Sequence, residues 1–291
     1  MRIWALAVGF LAVIVCGSIA NAEVPKTDAA RKAAIQALTW REGELLELPK
    51  SRGTLKSPKG IDQLLGRDAV SVYEVLNGVE APPGIEAAIY DDQAKTIVYF
   101  QNAGGGFVRL DDWDEVDADA MLKSVSESTE AANIKRKEAG ISAIHVGKWL
   151  ERPQLNRTTN TVRWAFEATD EGSEPLVNSV ALVLGRDGFE KLIWVGPKSA
   201  LSDGLLNIAL GSFSFPAGGR YSDFKDGDKV AEYGIAGLVA SVLGAKFAAK
   251  VGLFAAMAVL LKKFGVFIVI GAGAVVTWLW RVIGRRKPAG E

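Results

Sequence analysis

With one cysteine and one histidine in 291 residues, the chain cannot build the common Cys/His metal clusters or Cys–His nucleophile pairs. It also lacks a charge excess. Lys and Arg number 34 and Asp and Glu number 34, so nothing strongly basic points to nucleic acid. Neither low hydrophobicity nor a glycine period is present: 49% of residues are hydrophobic, which excludes a disordered or collagen-like chain. Too few cysteines remain for a disulfide-stapled miniprotein. The informative feature is where hydrophobicity and charge sit.

Both ends read as membrane-directed. Met1-Arg2 is a short positive start, Ile3 to Val15 is uncharged, and Ala20-Asn21-Ala22 has the A-x-A pattern of a signal-peptidase site. Residues 1–22 therefore read as a cleaved signal peptide, since the apolar core is short for a span of about 20 residues; an uncleaved helix is the other reading. Cys16 falls inside this core, and Val15 is not the small residue that precedes a lipoprotein cysteine. At the other end, Phe264 to Trp280 holds 17 consecutive uncharged residues, followed by Arg281, Arg285, Arg286 and Lys287. That predicts a transmembrane helix over 263–283 and a basic cytoplasmic tail over 284–291. A single span with the main domain in the periplasm, held at a bacterial inner membrane, follows. Residues 228–262 read as a membrane-proximal amphipathic helix, with Lys246 and Lys250 on one face and small residues recurring every fourth position. A two-helix hairpin anchor is the alternative.

Charge follows the same partition. From Glu23 to Asp228 there are 24 Lys/Arg against 32 Asp/Glu, a net of −8; from Lys229 onward nine Lys/Arg face two Glu, a net of +7. A basic stem is drawn to anionic lipid and an acidic domain is repelled from it, so the expected partners are the bilayer and a second copy or an envelope protein.

Residues 23–227 read as one exported α+β domain, mainly an antiparallel sheet with covering helices. Val162, Trp164 and Phe166 alternate with polar neighbours, a half-buried strand. Leu176–Leu184 is apolar on nearly both alternations, which marks a central strand, and Asp187-Gly188 turns it into a strand over Phe189–Val195. Ile97–Phe100 and Phe107–Leu110 flank Asn102–Gly106 and predict another hairpin. The helix expected over Ala118–Ala139 has Asp117 as N-cap and Gly140 as its stop. Shorter helices are expected near Ile61–Leu76 and Leu201–Ala209.

Candidate chemistry is sparse. Gly104-Gly105-Gly106 lacks both GxGxxG spacing and a following Lys-Ser/Thr, so it reads as a turn rather than a phosphate cradle. The acidic run Asp111, Asp112, Asp114, Glu115, Asp117, Asp119 has no EF-hand spacing, and carboxylates also suit the start of a helix. His145 sits in an apparent strand with no nucleophile motif beside it. Asn156-Arg157-Thr158 matches a glycosylation acceptor, meaningful only in a eukaryotic secretory host. No catalytic, cofactor or metal residues are assigned.

Ser128–Asn133, Arg136-Lys137, Val146–Trp149 with Pro153, Thr161–Trp164, Leu184–Arg186 with Gly188, and Gly219–Phe224 occur in an order that resembles the bacterial membrane-anchored proteins of domain-of-unknown-function family 2167. Asp228–Ala231 and Tyr233–Ala236 continue the likeness; Asn102–Asp114 departs from it. The resemblance implies an exported, membrane-tethered protein of Gram-negative-type bacteria and carries no catalytic residues. Arg220, Tyr221, Asp223 and Phe224 are the candidate contact motif, joining domain to stem, with plain junction packing as the other reading. The expected function is a non-enzymatic interaction or envelope-maintenance module. The alternative is a ligand-binding or hydrolytic domain using residues 111–119 and His145.

Overall fold

The computed structural model describes residues 25, 27–77, 80–138, 142–170 and 175–244. The signal segment, the span over 263–283, the basic tail and the membrane-proximal residues beyond 244 lie outside them. Among the described residues no helix is long and apolar enough to cross a membrane.

The elements in chain order are α1 (Asp28–Gln36), β1 (Arg41–Glu42), β2 (Leu46–Glu47), β3 (Thr54–Leu55), β4 (Ile61–Leu65), α2 (Arg67–Asn77), β5 (Ile85–Asp91) and β6 (Thr96–Gly104). They continue with α3 (Ala118–Glu138), β7 (Ile144–Asn156), β8 (Thr161–Asp170), β9 (Leu176–Leu184), β10 (Gly188–Pro197), α4 (Leu205–Ser212), β11 (Phe213–Ser214) and α5 (Ile235–Val242). An eight-stranded sheet has the order β1-β4-β5-β6-β10-β9-β8-β7, and β11-β3-β2 form a small second sheet. Every pairing in both is antiparallel. The fold is thus α+β around a large antiparallel sheet, as its alternation predicts. Two meanders, β4–β6 and β7–β10, meet where β6 pairs with β10.

Alternation along β10 shows how the layers form. Leu192 and Trp194 point to one face, where Val98, Phe100, Leu55, Leu205 and Phe213 complete a core under α4 and the small sheet. Phe189 and Ile193 point to the other. There α3 and α5 cover Trp164, Phe166 and Leu182, while α2 covers Tyr90 and Tyr99. The sequence-predicted β9–β10 hairpin is present, with Phe189 opposite Leu184 and Val195 opposite Asn178. So is the long helix: Asp117 Oδ1 accepts the Ala120 amide at 3.0 Å, the expected N-cap.

Three expectations change. The hairpin over 97–110 does not form. β6 stays in its ladder through Ala103 and Gly104, which face Phe189 and Gly188, and Phe107 pairs instead with residues 229–231, its amide donating to Lys229 O at 2.8 Å. Over Ile61–Leu76, the first five residues are strand β4 and the helix starts at Arg67; next to β5, ladder bonding outweighs the apolar periodicity that runs across both. Within the expected membrane-proximal stretch, Ile235, Leu238 and Val239 of α5 are fully buried in the sheet core, and its residues beyond 244 lie outside the described ones. Leu201–Ala209 is also divided, with a 3-10 turn over Lys198–Asp203 ahead of α4.

Candidate functional site

The Gly219–Phe224 motif folds as a short 3-10 turn, Tyr221–Asp223. Asp223 Oδ2 accepts the amides of Gly218 at 2.8 Å and Arg220 at 3.0 Å, which closes the turn. Tyr221 donates its hydroxyl to Val108 O at 2.8 Å, and burial pushes that hydroxyl's pKa up to about 12, so it stays a donor across the physiological range. Phe107 stacks between Tyr221 and Phe224, with centroids 4.4 Å and 4.0 Å away. Arg220 itself is exposed and bridges Gly185 through the backbone. Tyr221 and Phe224 therefore pack on residues 107–108 and Asp223 closes the turn that carries them, at a junction where Gly219 and Arg220 meet residues 185–186.

An ion pair fastens the same junction. Arg186 donates Nε to Asp228 Oδ2 at 2.7 Å and Nη2 to Oδ1 at 2.6 Å. These bonds, then the Lys225 amide, hold the Asp228 carboxyl down at about 2. A carboxyl depressed below its ordinary 3.8 contributes above that value and loses the contribution as pH falls towards 2. Asp228→Asn is expected to speed amide hydrogen exchange at Phe107 and Ala231 at neutral pH, whereas the parent chain loosens there only below about pH 4. Equal exchange in both at neutral pH would disconnect the pair from the junction.

The acidic run and His145 are not brought together. Asp117 caps α3, Asp119 accepts from Arg152 at 2.7 Å, and the Asp112 carboxylate lies against Gly234, where a Cβ would collide with it. A carboxylate there complements the start of α5. His145 Nδ1 meets Glu130 at 2.8 Å, with both side chains half exposed. Hydrogen bonding from His145, then from Asn133, lowers the Glu130 carboxyl against a smaller opposing effect of burial. Asp119 and Glu130 lie eleven residues apart on α3, roughly 16 Å at a rise of 1.5 Å per residue. The hydrolytic arrangement expected as the alternative therefore has no common site. Asn156 accepts the amides of Thr158 and Thr159, at 2.9 and 3.1 Å, and shapes the β7–β8 turn. Among the described residues no three His, Cys, Asp or Glu group as metal ligands.

The structure also assembles two features that the motif search missed. One is a wide groove of about 980 Å³ beside the β7–β8 hairpin. Half-buried Leu155, Val183 and Leu210 and buried Phe213 supply its apolar part, and exposed Gln154 and Arg157 its polar part. Arg163, also in the groove, is held by two bonds to Glu151, at 3.0 and 3.2 Å, and by Asn207 at 3.1 Å.

The other is a pair of carboxyls sealed in the sheet. Glu86 and Glu190 are both 0% exposed. Glu86 sits in the bulge between Ile85 and Ala87 and accepts the amides of Lys50 at 2.6 Å and Ser51 at 3.2 Å. Glu190 lies opposite Asn102 across the β6–β10 seam and receives its Nδ2 at 3.3 Å. Glu190 Oε1 receives no hydrogen bond from a donor among the described residues. Burial first, and the neighbouring Glu86 charge next, push the Glu190 carboxyl well above its ordinary range. A proton on Oε1, donated towards Glu86, gives that oxygen the partner it lacks. The sequence signal is charge inside otherwise apolar strands, Glu86 in IEAAIYD and Glu190 beside Lys191 in GFEKLIWVGP.

The profile of the family described as "Protein of unknown function (DUF2167)" matches residues 41–273. The chain belongs to that family. The DUF2167 match begins at Arg41, the first residue of β1, and takes in the whole eight-stranded sheet, the acid pair, the groove and the Gly219–Phe224 turn. Comparison with curated proteins returns no match. Among solved structures, the solution structure of cyanobacterial PsbP (CyanoP) from Synechocystis sp. PCC 6803 is similar at 10% identity and a TM-score of 0.36, over 60% of this chain and 92% of that one. So loose a likeness transfers no function to this DUF2167 chain.

Proposed function

We propose that this DUF2167 protein is an exported, non-enzymatic interaction module of the bacterial envelope, tethered to the inner membrane, whose protein partner seats in the groove beside the β7–β8 hairpin. The observation that carries the reading is the groove itself. About 980 Å³ of open concavity with mixed apolar and polar lining suits a protein segment better than an enclosed small molecule. Tethering is supported by sequence: the signal-like start, the uncharged run Phe264–Trp280 and the Arg281–Lys287 cluster. The acidic balance of residues 23–228 disfavours a nucleic acid as the partner.

The test is crosslinking of the tagged full chain in native membranes, followed by mass spectrometry of what is captured. A reproducible partner or self-crosslink is expected, and it should fall at least about tenfold in a Gln154→Arg, Arg157→Glu variant, a loss of roughly 1.4 kcal/mol of binding. A clean monomer, or capture indifferent to the groove variant, overturns the reading.

A further inference from the structure

Charge is inverted locally at the groove. Residues 23–228 carry a net of −8, yet the charged residues that line the groove, among the described ones, are Arg157 and Arg163 and no carboxylate. The two arginines differ. Arg163 is spent on Glu151 and Asn207. Arg157 is exposed, and among the described residues its side chain makes one bond, from Nη2 to Leu110 O at a long 3.4 Å. A guanidinium has five N–H donors in a planar fork that matches a carboxylate. The groove therefore presents an open cation beside apolar walls, and its charge suits an acidic occupant.

The rim of the same groove carries the opposite charge. Trp113 lines the groove, and around it Asp111, Asp114 and Glu115 are exposed. Among the described residues none of these three carboxylates joins an ion pair. Their backbone is fixed. The Glu115 amide donates to Asp112 O at 3.0 Å, the Val116 amide donates to Trp113 O at 3.1 Å, and the Asp112 side chain is wedged against Gly234. Arg157 reaches the carbonyl of Leu110, next to Asp111, yet makes no ion pair with it. One surface thus holds an unsatisfied cation and three unsatisfied anions that do not meet within a single copy.

We propose that the partner in the groove is a second copy of this chain, whose acidic turn Asp111–Glu115 docks against Arg157 while its own groove receives the first copy's turn. This rests on the reading of the groove as a protein-binding site. A patch that bears a feature and its complement side by side satisfies itself when a second copy is turned about a two-fold axis between them, and each contact is then made twice. Such an axis along the membrane normal keeps both tethers in one membrane. Exposed ion pairs are individually weak in water, so confinement at the bilayer, which raises the effective concentration of one copy around another, favours the pairing.

The experiment uses charge exchange in the full chain. Two differently tagged copies are co-expressed, crosslinked in native membranes, and the second tag is quantified after capture of the first. Parent should capture parent, and less so in high salt. Arg157→Glu paired with itself, and Asp114→Arg, Glu115→Arg paired with itself, should each fall about tenfold, since both contacts then oppose like charges. Arg157→Glu paired with Asp114→Arg, Glu115→Arg should recover parental capture, because both contacts regain opposite charges. Circular dichroism checks the fold of each variant. No self-capture, self-capture indifferent to the variants, or no recovery in the mixed pair of folded variants overturns the proposal. If self-capture is absent while a different protein is captured and lost with Arg157→Glu, the second copy is excluded and the groove remains a binding site. If nothing is captured at all, both readings fall.

Discussion

Glu190→Gln is expected to raise stability at neutral pH and to flatten its dependence on pH. The folded-state pKa of Glu190 lies well above its ordinary 4.5, so between those two values the folded chain holds a proton that the unfolded chain has released. Stability is then complete in acid, below about pH 4.5, and declines as pH rises through the folded-state value. The decline has a limiting slope of about 1.4 kcal/mol per pH unit for one proton. Gln keeps the shape and an N–H for Glu86 without the titration. Urea melts of parent and variant between pH 5 and 9 check this: the curves should diverge upward with pH. Parallel curves would mean that Glu190 is ionised in the folded chain at all these values. Glu190→Ala is a useful contrast. It strands Asn102 and Glu86 in the sealed seam and should destabilise at every pH, by about 2 kcal/mol or more.

The second large effect is expected from a methyl group. Gly188 opens β10 at φ +154°, and a Cβ there would collide with the carbonyl oxygen of Ala103 on the facing strand. The obstacle is backbone at the seam of the sheet, which cannot rotate away. Gly188→Ala should cost on the order of 3 kcal/mol. Gly104, directly opposite in the register, has nothing within 4 Å of its would-be Cβ, and Gly104→Ala should stay within about 0.5 kcal/mol of the parent. Equal urea midpoints for the two variants would remove the seam as a tightly constrained contact.

What sequence reading recovers here depends on the range of the cause. Leu176–Leu184 and Phe189–Val195 are recognisable because alternation and a tight turn are local, and α3 because Asp117 and its apolar stripe lie within a few residues of one another. The hairpin expected over 97–110 fails for the opposite reason. Ala103 and Gly104 take their conformation from residues 188–189, and Phe107 takes its from 229–231, which no nearby pattern announces. The candidate site divides likewise. Tyr221, Asp223 and Phe224 stand out as a motif, yet their role at a junction depends on Phe107, Val108 and the Arg186–Asp228 pair. Glu86, Glu190 and Lys191 were legible only as charges in apolar strands, since burial and unpaired polar atoms are properties of the assembled sheet.

The seam between β6 and β10 also constrains the order of events while the chain is being made. Asn102 and Glu190, which meet there, are 88 residues apart in the chain. The first meander can pair within itself early, but β6 must then wait with one edge open until four more strands have been synthesised. Contacts of such long sequence separation slow folding, and an open apolar edge invites pairing with another chain. The stretch of synthesis between β6 and β10 is therefore the interval in which this protein is most exposed to aggregation and has most need of a chaperone.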